Sequence, residues 1–248
     1  MKTFISTLLI GFSCSILCSW VTNDWTVLSE PDFNKVFKRQ ESLYKEKASY
    51  SLLIRHSSYE NHTTTSPYEK VEGYFKKEGT SYHSFLLGME TIQNKEMKIV
   101  IDSSSKKILI APADAAFQPL SGDEFQKDMK GCGSIKCKEQ DKGKIYRLDY
   151  KEGEGSLEAI EYLVSKDGLI SKMVMFYREL SYNPGFRQKE EKYKPRIEVE
   201  LTEFKTAGAG NKDDFEPGKY VTLSGSKYKG IGKYQQYSVF DTRVPKKK

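Results

Sequence analysis

The chain has 248 residues, 38% hydrophobic and 30% charged, with 16 Tyr and 13 Phe. That balance excludes a disordered or membrane-embedded protein, and the length suits one large all-β domain or two small ones. Forty Lys and Arg against 34 Asp and Glu give a net charge of +6. The charges are spread along the chain, which argues against a nucleic-acid partner and leaves at most a weak peripheral attraction to anionic lipid or acidic polymers.

Lys2 precedes the apolar run Phe4–Leu17 and the small residue Ser19, the pattern of a cleaved signal peptide. We expect residues 1–19 to be removed and residues 20–248 to form a single exported domain, in the periplasm or cell envelope or outside the cell. An uncleaved anchor is the alternative that the run's shortness opposes, because a membrane span needs about 20 apolar residues. Lipid attachment at Cys14 or Cys18 is the third reading, against which stand Gly11 and the bulky Leu17.

Ser29 is placed to cap a helix, Pro31 fits its first turn, and Phe33, Val36, Phe37 and Tyr44 fall on one stripe. The spacing predicts an amphipathic helix over Pro31–Lys47. Strands follow at once. In "SYSLLIRHSSY", Tyr50, Leu52, Ile54 and His56 alternate with polar residues, and "EKVEGYFKK" carries Phe75 up to a Glu78–Gly79 turn. "SYHSFLLGME" reads as one strand with His83, Phe85, Leu87 and Met89 on one face, "MKIVID" aligns Met97, Ile99 and Ile101, and "KKILIA" comes next. Period-two alternation, broken by turn residues about every ten positions, predicts an antiparallel meander.

Ser121 and Glu124 have capping-box spacing and Gly131 is a stop signal, so a short central helix is expected. Cys132 and Cys137 then occur in "GCGSIKC". In an exported protein such a pair is expected to form a disulfide closing a short loop. A zinc site would need about four ligands, and a redox pair favours a two-residue spacing. A second run of strands covers "KIYRLDY", "LEAIEYLVS", "LISKMVMFYREL", "PRIEVELTEF" and "YQQYSVFDTRV". Residues 206–218 are expected to form a mobile loop, and residues 245–248 a basic tail.

Chemistry-bearing signals are few. His56 and His83 lie on apolar parities and His62 lies in a polar stretch. No metal-protease pair, nucleophile elbow or phosphate loop is present, so no catalytic residue, metal or cofactor is expected. Tyr146, Tyr150, Tyr162 and Tyr177 read as cross-strand packing more readily than as a sugar-stacking platform. Met89, Met97, Met173 and Met175 in predicted strands suit a surface that accepts variable apolar ligands.

This order of elements, and the stretch "VEGYFKKEGTSYHSFLLGMETIQNKEMKIVIDSSSKKILIA" in particular, resembles the LolA/LolB-like superfamily of periplasmic lipoprotein carriers and their relatives. The likeness spans about residues 30–205, and the chain also resembles secreted Bacteroidota proteins with no assigned role. It implies a mostly β, α+β architecture: a curved antiparallel sheet or half-open barrel with an N-terminal and a short central helix. The family's lid-latching arginine matches no particular residue here; Arg55, in the first strand, is a candidate by element alone, so no functional residue is carried over. The expectation that follows is a non-enzymatic exported binding protein holding a lipid or lipoprotein acyl chain in an apolar groove. Leu52, Ile54, Phe75, Phe85, Leu87, Met89, Ile99 and Ile101 would line it or pack beneath the helix. The alternative is a structural or interaction component of an envelope assembly, with envelope proteins as partners and no small ligand.

Overall fold

The computed structural model describes residues 24–114, 129–179, 193–206 and 211–243. The predicted leader, Cys14, Cys18, nearly all of the predicted central helix and the basic tail lie outside the described residues. The helix α1 runs Glu30–Glu46. The Ser29 hydroxyl accepts from the Asp32 N–H at 3.3 Å, satisfying one of the donors a helix start leaves free. No described helix is long and apolar enough to cross a membrane.

Fifteen strands surround it in sequence: β1 (Thr26–Val27), β2 (Ser49–Tyr59), β3 (Glu69–Glu78), β4 (Ser81–Leu86), β5 (Met89–Gln93), β6 (Met97–Asp102), β7 (Lys107–Pro112), β8 (Cys132–Gln140), β9 (Gly143–Tyr150), β10 (Leu157–Ser165), β11 (Ile170–Tyr177), β12 (Arg196–Lys205), β13 (Val221–Ser224), β14 (Lys227–Gly230) and β15 (Ser238–Asp241). Thirteen form one sheet in the order β1-β8-β9-β10-β11-β12-β2-β3-β4-β5-β6-β7-β15, and β13 and β14 form a separate hairpin. All neighbours in the large sheet are antiparallel except β15 and β7, which are parallel. The sheet is curved and open, and the architecture is mostly β, as expected.

Directly paired residues share a face of a sheet, so the registers divide this one into two sides. On the first side, α1 lies across β8 to β4. Phe33 and Phe37 pack against Ile135, Tyr146, Leu148, Ile160 and Tyr162, with the Phe37 and Tyr162 rings edge to face at 5.1 Å. Further along, Tyr44 meets Tyr50, Leu52, Phe75 and Tyr82. Gln40, itself buried, accepts from the Ile170 N–H at 3.1 Å and ties the helix to β11. Each of these aromatic side chains contributes about 3–5 kcal/mol against truncation to Ala.

On the second side, β8 to β3 carry a ladder of paired charges. Arg147 bonds Asp149 and Glu161, Lys172 reaches Glu198 and Glu200, and Arg55 bridges Glu200 and Glu72. The core changes sides at β4, where adjacent residues Tyr82 and His83 are both buried. Beyond it, Ile92, Ile99, Ile101, Ile108 and Ile110 form a dry patch on the second side, covered by Val221 and Tyr234. The cover is built from 3-10 turns at Lys212–Phe215 and Pro217–Lys219, the β13–β14 hairpin and a third turn at Gly232–Tyr234.

Three local expectations change. "SYHSFLLGME" is two strands, because Leu87 (φ 50°) and Gly88 (φ 77°) make a left-handed two-residue turn that pairs Leu86 with Met89. "GCGSIKC" is not a disulfide-closed loop. Both thiols are free and sit five residues apart along β8, about 16 Å at the usual strand rise, whereas a disulfide needs Cα atoms within about 7 Å. Finally, part of the expected loop, residues 211–218, is built into the cover, with Phe215 and Pro217 buried.

Candidate functional site

The eight residues expected to line a single groove divide between the two sides of the sheet. Leu52, Ile54 and Phe75 lie on the helix-bearing side. Leu52 and Phe75 are fully enclosed, and Ile54 packs against them. Ile99 and Ile101 are on the other side under the C-terminal cover, and Phe85 shares that side because it pairs with Tyr74 and Glu90. Leu87 is the exposed corner of the β4–β5 turn, and Met89 emerges on the helix-bearing side, 41% exposed. The two-residue turn is the physical reason. A period-two reading carried through it assigns Met89 the side of His83, whereas the hairpin returns it to the side of Leu86.

The helix-bearing side also carries a long-range feature that local periodicity does not encode. A single register row crosses seven strands: Leu52, Phe75, Ser84, Thr91, Val100, Leu109 and Phe240. Its first two members are buried near α1. Its last two, Leu109 and Phe240, are 39% and 51% exposed. Leu86, beside this row, is accommodated because Gly73 carries no side chain. A Cβ there would lie 2.2 Å from the Phe85 carbonyl oxygen and 3.0 Å from a Leu86 methyl. The helix-bearing side is therefore a filled core at one end and an exposed apolar surface, with Met89 alongside, at the other.

A separate cavity of about 290 Å³ opens between α1 and the ends of β9 and β10, lined among others by Val36, Arg39, Gln40, Lys144, Tyr146 and Val164. It is at the lower size limit of small-molecule sites, and none of the eight expected groove residues reaches it.

Among the described residues, His83 is the one histidine brought against a carboxylate. Its Nε2 lies 2.9 Å from both Glu90 Oε1 and the Tyr74 hydroxyl. Tyr220 and Tyr234 donate to the two Glu90 oxygens at 3.2 and 3.1 Å, and Lys76 pairs with Asp214 at 2.9 Å. Burial pushes the Glu90 carboxyl up. The bonds from His83 and Tyr234 and the nearby His83 charge outweigh it, leaving Glu90 below the usual range. Burial, then the Glu90 charge, pushes the Tyr74 hydroxyl up to about 12, and Tyr220 moves the same way for the same causes. His83 is only 7% exposed and its Nδ1 has no partner among the described residues. The cluster fastens Tyr220, Tyr234 and Asp214 of the cover to β3, β4 and β5.

The other histidines have no carboxylate partner among the described residues. His62 donates from Nε2 to the Tyr177 carbonyl at 2.9 Å, and His56 is half-buried on the helix-bearing side of β2 with Nδ1 unpartnered among the described residues. Arg55, matched by element to a lid-latching arginine, projects from the side opposite α1 into the charge ladder, so it does not latch this helix.

No family model matches the chain, and no curated protein matches it. Among solved structures it is similar to an uncharacterized conserved protein from Thermus thermophilus, at TM-score 0.42 and 8% identity over 85% of this chain and 99% of that one. It is also similar to a LolA superfamily protein from Nitrosomonas europaea, at 0.30 and 8% over 74% and 97%. A DUF1329 family protein from Desulfovibrio piger matches at 0.28 and 11% over 76% and 97%. These are likenesses of fold and leave function to the site's own geometry.

Proposed function

We propose that the protein is an exported, non-enzymatic binding protein of the cell envelope that lays an apolar moiety, such as a lipid or acyl chain, along the exposed end of the helix-bearing side. The observation that carries this reading is the row Val100–Leu109–Phe240, continued by Met89. It presents adjacent apolar side chains to solvent on the same side as the aromatic core beneath α1. Contiguous apolar surface of this kind marks interaction sites, whereas single exposed apolar residues do not. The ligand would lie on a face, since the residues nearest α1 are already packed. Mass spectrometry of lipid co-purifying with the protein, together with a fluorescent fatty-acid titration, tests the reading. Saturable binding supports it, and empty protein with no saturable binding ends it.

A second reading, an interaction component of an envelope assembly, is supported by the dense packing of Leu52, Phe75, Ile99 and Ile101, each at 3% exposure or less. It is also supported by the outer edge of β15, which can add a strand from a partner. Recovery of a defined envelope protein with no lipid bound favours it.

A further inference from the structure

We propose that the β13–β14 hairpin is a contact surface for an anionic lipid bilayer. From Pro217 to Phe240 the chain contains four lysines (Lys219, Lys227, Lys229 and Lys233) and no acidic residue, in a protein whose positive and negative charges otherwise intermingle. The hairpin concentrates them. Its register pairs Ser224 with Lys227 and Thr222 with Lys229, so these four share one side, and all four are exposed. The other side holds Val221, buried against the isoleucine patch, Tyr228, packed at its edge, and Leu223, which pairs with Tyr228. The lysines therefore point away from the protein body.

Among the described residues neither Lys227 nor Lys229 has an ion-pair partner, whereas the charge ladder across β8 to β3 is paired strand by strand. At the hairpin's end Leu223 is 58% exposed beside the Gly225–Ser226 turn, on the side opposite Lys227 and Lys229. Met end on, the hairpin tip presents Leu223 on one side and Lys227 and Ser224 on the other, a combination of apolar and cationic groups complementary to a negatively charged lipid surface. The lysines meet headgroups, and the leucine enters the boundary with the acyl region. The isoleucine patch and the Glu90 bonds to Tyr220 and Tyr234 hold the hairpin's base rigid, which lowers the ordering cost of docking. The hairpin covers the same strands that bear Leu109 and Phe240 on their opposite side. Contact would thus bring that end of the sheet to the bilayer. The inference stands independently of the ligand reading, since it rests on a different element and a different chemistry.

The test is sedimentation of the full chain with vesicles of phosphatidylcholine alone or with about 30 mol % phosphatidylglycerol, at low salt and at ~0.3 M salt. We expect binding to the anionic vesicles only, weakened by salt. Each lysine near such a surface is worth roughly a fivefold change in partitioning, so Lys227→Gln with Lys229→Gln should lower it roughly 25-fold. Leu223→Ser should lower it several-fold at both salt levels. Lys142→Gln with Lys151→Gln, at exposed positions on other strands' turns, should leave it unchanged. Equal binding to both vesicle types, or no effect of the hairpin lysines, overturns the proposal. So does an equal loss from the Lys142 and Lys151 pair, which would indicate mere net-charge attraction. Soluble polyglutamate binding through Lys227 and Lys229, with vesicle binding indifferent to Leu223, overturns it in favour of an acidic polymer. None of these readouts uses a fatty-acid ligand, so failure here and failure of the ligand reading are separable. Near-ultraviolet circular dichroism confirms the fold of each variant.

Discussion

The hydroxyl of Tyr234 lies 3.1 Å from Glu90 Oε2 and joins the C-terminal cover to β5 across 144 positions of sequence. Glu90 sits on the same parity as Ile92 in β5, so its carboxylate faces the cover rather than water, and it is accommodated because His83 and two tyrosines bond it. A buried acceptor with its partners removed costs more than the bonds themselves contributed. Tyr234→Phe should therefore cost about 1 kcal/mol, and Glu90→Ala, which strands His83 and both hydroxyls, about 3 kcal/mol. Urea unfolding of the variants and of the Tyr220→Phe/Tyr234→Phe pair measures this. Non-additivity in the pair is expected, because both hydroxyls share one carboxylate.

The same cluster sets how stability responds to pH. Glu90 is held below its ordinary value, so its contribution is fully present above the usual glutamate range and is lost as pH falls through the native value. Tyr74 is raised, chiefly by burial, to about 12. Its contribution is complete below the usual tyrosine value near 10 and disappears as pH rises toward 12. Stability measured by urea unfolding should fall at both ends. The acid limb should flatten in Glu90→Gln and the alkaline limb in Tyr74→Phe. An unchanged acid limb in Glu90→Gln would contradict the assignment.

Leu87 occupies a left-handed conformation at φ 50° with half of its surface exposed. A branched apolar residue there carries a backbone strain of roughly 1 kcal/mol, and little burial offsets it. Leu87→Asn should raise stability by about 0.5–1 kcal/mol, which is roughly 1–4 °C in melting temperature for a domain of this size. Differential scanning calorimetry measures the shift, and a lower melting temperature would mean that the leucine contact outweighs the strain.

Cys132 and Cys137 lie along one strand, and burial, the largest influence on each, pushes both thiols up. Alkylation of the chain lacking residues 1–19, in denaturant and without reductant, should add two labels. The native protein should react slowly, because the thiolate is the reactive form. Zero labels in denaturant would restore the disulfide.

Much of this fold was legible in the sequence. The cap at Ser29, Pro31 and the stripe Phe33–Phe37–Tyr44 place α1 to within a residue at each end. The alternations in β6, β7 and β10 are plain because one parity is dry, whereas in β12 both parities are half-buried. The β4–β5 turn was obscured because Leu87–Gly88 lacks the Asn or Asp that usually marks a left-handed hairpin, and missing it inverted the side assigned to Met89. The strand β8 was hidden because Ile135 is its sole strongly apolar member and the cysteines suggested a loop. The β13–β14 hairpin had a usable signal, a Gly225–Ser226 turn between runs containing Val221, Leu223 and Tyr228. The register row ending at Leu109 and Phe240 was not readable at all. It depends on β15 returning to pair with β7 in parallel, a long-range contact that local periodicity does not encode.

The apolar end of the helix-bearing side is tested most directly by titrating a fluorescent fatty acid into the wild-type protein, Leu109→Ser and Phe240→Ser. Removing one large apolar contact is worth about 1.5–3 kcal/mol, so each substitution should weaken saturable binding roughly tenfold or more with the fold intact. Absence of saturable binding to the wild type, or equal affinity in all three proteins, would contradict the account.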